Sequence, residues 1–201
     1  MPYVLTVDQV ASRTRPDLVE ATLARLRPLP TVLPFTRTVG DEFQGLLGDP
    51  LSVLDAILVL MRDISWHVGL GIGPVEHPLP ADDPRSARGA AFLAARGAVD
   101  RAKNEASHLA VVAAAPAEPE GADVEAVLGL LAEVRRRRTD AGWEVADLAA
   151  RGLTQAEAAD RLGITRQAVQ QRLRTAGWAA EESARPTLAR LLARAERSAG
   201  S

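Results

Sequence analysis

The residues whose types and spacing point most directly to recognition chemistry lie between Leu153 and Arg174. Thr154 and Thr165 each stand where a hydroxyl would cap a helix, and Glu157, three residues after Thr154, completes a capping box. Between the two segments Gly163 suits a turn that needs a positive φ, and Ala159 is small where two helices would cross. Ile164 and Val169 are placed to hold the second helix against the first. That second helix turns Thr165, Arg166, Gln167, Gln170, Gln171 and Arg174 outward, with no acid among them. Arginine and glutamine make bidentate hydrogen bonds to guanine and adenine edges in the major groove. The expectation is a helix-turn-helix over 153–178 that binds double-stranded DNA through Thr154 and these six residues. One departure is Arg172, where a buried aliphatic is expected; Leu173 takes that role one position later.

A second set of chemical groups lies near the N-terminus. Asp8 ends an apolar run, Tyr3–Val7, and Asp41 follows Gly40 in a tight connection between two further apolar runs. Were those runs neighbours in one sheet, the two carboxylates would lie close enough to hold a divalent cation such as Mg2+ against nucleotide phosphates. Strand alternation would turn Glu42 to the opposite face. Ordinary local chemistry is the competing account: Asp8 entering a loop, Gly40-Asp41 a simple turn. His67, His77 and His108 are scattered and show no ligand spacing.

The elements that would position these groups follow from periodicity. Strands are expected at Tyr3–Val7, Val32–Val39, Phe43–Leu47, Trp66–Ile72 and Leu109–Ala113, with helices at Pro16–Arg27, Leu51–Asp63 and Ser86–Glu105. The order is βαββαβαβ, and two split βαβ units sharing a sheet make a ferredoxin-like palm over residues 1–115. Gly69, Gly71 and Gly73 alternate along one strand, suiting either close helix packing or close approach of a phosphate. The small, proline-bearing stretch 116–122 reads as a linker. Beyond it every pattern is helical: a helix capped by Asp123 and running to about Arg138, a short helix at Val145–Ala150, the helix-turn-helix, and a terminal helix from Pro186. The fold class expected is therefore α+β, with an all-α domain over residues 123–201 carrying the reader. Trp66 is expected in the core, and Trp143 and Trp178 within the helical domain.

The N-terminal half resembles the SatD family of bacterial proteins. The matching residues are Val4-Leu5-Thr6-Val7-Asp8 with Ser12-Arg13, Thr36 to Leu47 around Gly40-Asp41-Glu42-Phe43-Gln44, Val68 to Gly73, and Gly89 to Arg96. The same landmarks are more distantly similar to class III nucleotidyl cyclases. That resemblance implies Asp8 and Asp41 as metal ligands, Arg37 at the base-selecting position and Arg96 at the position that stabilises the transition state. Where those cyclases carry an asparagine four residues before this arginine, the chain has Phe92.

Composition sets the frame. The chain has 201 residues, 47% of them apolar and 25% charged, with net charge −2 and no cysteine. This excludes a disulfide scaffold and a thiolate metal site and argues against a generally basic nucleic-acid coat. Around the helix-turn-helix, however, five arginines (151, 161, 166, 172 and 174) face Glu157 and Asp160, a local +3 that suits phosphate contact. With no membrane-length apolar run and no leader pattern, a cytoplasmic protein is expected. A single recognition helix buries little surface, so a homodimer is expected, using the helix before Arg138 and the terminal helix. Arg135–Arg138 reads as a solvated end or a phosphate contact. Three functions follow: a transcriptional regulator whose palm senses a nucleotide, a metal-dependent nucleotidyl cyclase or nucleotidyltransferase with an accessory reader, and a palm that serves only as a dimerisation platform.

Overall fold

The computed structural model describes residues 2–62, 64–80 and 84–200. Five strands form one sheet: β1 (Tyr3–Gln9), β2 (Leu33–Arg37), β3 (Glu42–Leu47), β4 (Trp66–Ile72) and β5 (Leu109–Ala113), in spatial order β2-β3-β1-β4-β5. All neighbours are antiparallel except β4 and β5, which are parallel. Helices α1 (Val19–Leu26), α2 (Pro50–Leu60) and α3 (Ala90–Ala102) connect them, so the βαββαβαβ order read from periodicity is the order observed. The fold is α+β with a helical C-terminal region. Several ends differ from expectation. α1 starts at Val19 rather than at Pro16, and α3 starts after Gly89, whose φ of +131° breaks the helical path. The expected end of α2 at Asp63 lies outside the described residues.

Alternation along β1 divides the sheet into two faces. On one, Tyr3, Leu5 and Val7 join Phe43, Leu47, Trp66, Val68, Leu70 and Ile72 in the main core, where Phe43 and Trp66 meet edge to face at 5.1 Å. α3 lies on the other face, directly over β4. A Cβ at Gly71 would stand 2.1 Å from the Ala91 carbonyl oxygen, and one at Gly69 2.2 Å from the Val99 nitrogen. The glycine alternation is the means of close helix-on-strand packing.

The C-terminal helices are α4 (Glu118–Arg136), α5 (Asp140–Ala150), α6 (Gln155–Leu162), α7 (Arg166–Thr175) and α8 (Trp178–Ser198). Two expectations are corrected here. Most of the stretch read as a linker, 116–122, is the first turn of α4, with buried Ala117 at the cap and Gly121 against Ala113 of β5. In addition, α4 and α8 do not belong to a separate helical core. Val124, Leu128 and Leu131 of α4, with Leu188, Leu192 and Ala195 of α8, are buried in the same core as the sheet. The Tyr3 hydroxyl on β1 donates to Glu196 of α8 at 3.1 Å. The apolar faces expected to pair two copies are thus spent inside one chain: the main sheet face needs a cover wider than α1 and α2 supply. Only α5, α6 and α7 form a core of their own, inserted between α4 and α8.

Candidate nucleic-acid interface and the junction behind it

Local sequence dictates the helix-turn-helix geometry closely. The Thr154 hydroxyl accepts from the Glu157 backbone N–H at 3.3 Å while the Glu157 carboxylate accepts from the Thr154 N–H at 2.8 Å, closing the capping box. The Thr154 N–H, and after it the Thr154 hydroxyl donating to the same carboxylate at 2.8 Å, hold the Glu157 carboxyl below its ordinary range. Gly163 ends α6 in the left-handed region at φ +64°, and Thr165 caps α7 by accepting from Ala168 at 3.1 Å. Val145, Leu148, Ala158, Ala159 and Val169 bury the three-helix contact, with Leu153, Leu162, Ile164 and Leu173 packed around them. Leu173 thus fills the aliphatic place, and Arg172 is half-buried beside Glu144. α5 is longer than expected because Thr139 caps it, accepting from Gly142 at 3.2 Å.

All seven residues assigned to DNA contact are exposed: Thr154, Thr165, Arg166, Gln167, Gln170, Gln171 and Arg174. Six of them share the start and outer face of α7, where Arg174 donates to Gln171 at 2.6 Å. The face offers guanidinium and amide donors and amide acceptors, with no carboxylate.

The candidate residues on the sheet are arranged differently from expectation. In the β1–β3 register Asp8 stands opposite Glu42, and Asp41 stays in the turn that precedes β3. It is Glu42, not Asp41, that shares the α3-covered face with Asp8. Glu42 is 9% exposed, accepts from the Thr38 hydroxyl at 2.8 Å and pairs with Arg96 of α3 at 3.0 Å. Lys103 of α3 lies 3.6 Å from Asp8. Arg96 therefore reaches the carboxylate pair, whereas Arg37 does not. Arg37 is committed to Asp17 at 2.6 Å on the rim of α1, and Asp17 is held below the usual carboxylate range chiefly by that bond. Phe92 is buried with Val4 and Leu46.

Two arrangements escaped the sequence reading. His67 of β4 and His108 meet with their Nδ1 atoms 3.1 Å apart, although 41 residues separate them. Burial, and then His108, lower the His67 pKa. The second arrangement is the junction between the sheet-bearing half and the α5–α7 helices. Arg135 and Arg138, read as solvated or phosphate-binding, are buried instead and share Glu181 of α8. Arg135 reaches its two oxygens at 2.6 and 2.7 Å, and Arg138 reaches one at 2.5 Å. Arg135 also donates to the Leu58 carbonyl on α2, and Arg138 to the Ala176 carbonyl at the end of α7, each at 2.6 Å. Arg62 pairs with Asp147 of α5. The guanidinium carbons of Arg62, Arg135 and Arg138 all stand 4.5–4.8 Å from the Trp143 ring, a cation–π cluster at the root of α5–α7. Comparison with protein-family models, curated proteins and solved structures finds no match for this chain. No helix among the described residues is long and apolar enough to cross a membrane.

Proposed function

We propose that the protein is a transcriptional regulator that binds duplex DNA through α7 and senses a ligand through its sheet-bearing half. The observation that carries this reading is the acid-free outer face of α7. Arg166, Gln167, Gln170, Gln171 and Arg174 stand exposed on a helix whose opposite side is fixed by Val169 and Leu173. This is the surface a recognition helix presents to base edges, with phosphates approaching its capped N-terminus. Selection of a binding sequence from random duplexes, followed by footprinting, tests it. Arg166→Ala and Gln170→Ala should each weaken specific binding by about 1–3 kcal/mol. Unchanged footprints in both would remove α7 from the interface.

We assign the sheet to a ferredoxin-like palm of the SatD type, on the order β2-β3-β1-β4 and the residues quoted above. The ligand proposed for it is a nucleotide with Mg2+. Asp8 and Glu42 supply carboxylates on one face, and Arg96 and Lys103 supply cations for phosphate. Titration calorimetry with ATP and GTP plus Mg2+ should give heat that Asp8→Ala abolishes; no heat with either nucleotide would leave the palm as a platform. The cyclase alternative is disfavoured because Phe92 is buried in an apolar cluster, 8% exposed, where those enzymes place an asparagine. The regulator is taken to act in the cytoplasm as a homodimer formed through a surface other than the α4 and α8 faces buried against the sheet, and sedimentation velocity checks the dimer.

A further inference from the structure

Between the start of β4 and β5, the end of α2, and α4 and α5 lies a cavity of about 170 Å³. Its walls combine Trp66, Val68, Leu109 and Trp143 with the buried Arg135 and Arg138. Ile64, which also lines it, is 50% exposed.

The charges around it do not balance. Among the described residues, Arg62 is matched by Asp147 and Arg136 by Glu133, but Arg135 and Arg138 divide one carboxylate, Glu181. One guanidinium charge is left over on side chains only 6% and 1% exposed. Among the described residues, Arg135 Nε and Arg138 Nη1 are also buried and meet no hydrogen-bond partner. Orphaned donors on a buried cation cost free energy comparable to a lost charged hydrogen bond unless an anion or water meets them. A carboxylate is the complement in charge, and guanidinium N–H groups are its usual donors. The remaining walls are apolar and aromatic, and a cavity of about 150 Å³ is enough for one benzene ring.

We propose that this cavity binds a small monocarboxylate with a single ring or a short branched apolar body, its carboxylate facing Arg135 and Arg138. Arg138 is the route outward. The same guanidinium donates to the Ala176 carbonyl, where α7 ends, so a ligand that draws on Arg138 acts on the hold of the recognition helix. That consequence rests on the reader assignment above; the binding itself does not.

The test is calorimetry of the full chain, without DNA, against benzoate, benzamide and inorganic phosphate. Benzoate should bind one to one. Benzamide, with the ring but no charge, and phosphate, with the charge but no ring, should each bind at least about tenfold more weakly, the worth of one charge-assisted hydrogen bond. Ala132→Phe, which fills the cavity from α4 and leaves both arginines, should abolish benzoate heat while the far-ultraviolet circular dichroism is unchanged. No benzoate binding, equal binding of benzamide or phosphate, or binding that survives Ala132→Phe would each overturn the site. A DNA-binding assay with and without benzoate then reads the coupling: an affinity unmoved by saturating benzoate would overturn the role given to Arg138. Should the protein bind no DNA at all, the calorimetry still stands or falls alone.

Discussion

Glu181 is the single carboxylate between two buried guanidiniums, and Glu181→Leu is the perturbation with the clearest expected size. It removes acceptors at 2.6 and 2.7 Å from Arg135 and at 2.5 Å from Arg138, on side chains that water scarcely reaches. Taking one partner out of a buried ion pair costs about 3–5 kcal/mol, because the remaining charge stays desolvated. The expected loss is in that range, a large part of the roughly 5–15 kcal/mol that holds a domain together. For a chain of this size it lowers Tm by about 6–20 °C. Urea unfolding followed by circular dichroism measures it directly. Replacing all three residues together, Arg135→Met, Glu181→Leu and Arg138→Met, should recover most of the loss, since no charge is then left buried. Recovery should be incomplete because the Leu58 and Ala176 carbonyls lose their donors. A loss below about 1 kcal/mol for Glu181→Leu alone would show that the two arginines find other compensation, and the charge excess argued for the cavity would fall with it.

Other outcomes are open to measurement. Arg166→Ala should cost specific DNA affinity without changing the urea midpoint, since its side chain is exposed. Gly71→Ala should destabilise severely, by at least about 3 kcal/mol, because its Cβ would strike α3 backbone rather than a side chain able to yield. Gly163→Ala meets nothing within 4 Å, so its cost should be the conformational one alone, about 1–2 kcal/mol, read by denaturant titration. The His67 pKa lies below its ordinary value of 6.5 in the folded chain, so the unfolded chain binds the extra proton. Stability from this group is therefore full above pH 6.5 and lost as pH falls through the lowered value. His67→Gln should flatten the slope of stability against pH just below 6.5; an unaltered slope would assign it to other groups.

What the sequence revealed and what it hid divide by distance along the chain. The helix-turn-helix geometry was legible because its signals are local: two threonine caps, a glutamate three residues on and a glycine at the turn. The strands were legible for the same reason, through alternation. Asp8 and Asp41 show where this fails. Which acid faces Asp8 is set by the β1–β3 register, and a shift of one residue exchanges Asp41 for Glu42. The arginine run 135–138 resembled a solvated end because its counter-charge, Glu181, lies 43–46 residues further on. The linker reading failed because small residues and a proline also suit the first turn of a helix that packs closely. His67 and His108 lack ligand spacing in sequence and meet only because β4 and β5 run side by side.

The insertion of α5–α7 between α4 and α8 also has a mechanical consequence. The chain enters the α5–α7 unit at Thr139 and leaves it at Gly177, and both crossings lie at one place. Arg138 bonds the residue before Gly177, and a Cβ on Gly177 would press against Val134. A body hung from one strand can swivel in any direction, but one held by two adjacent strands turns chiefly about the line through them, as a door turns on its pins. The Arg62–Asp147 pair is a third tie, between the end of α2 and α5, so any turn about that line must carry or part that pair.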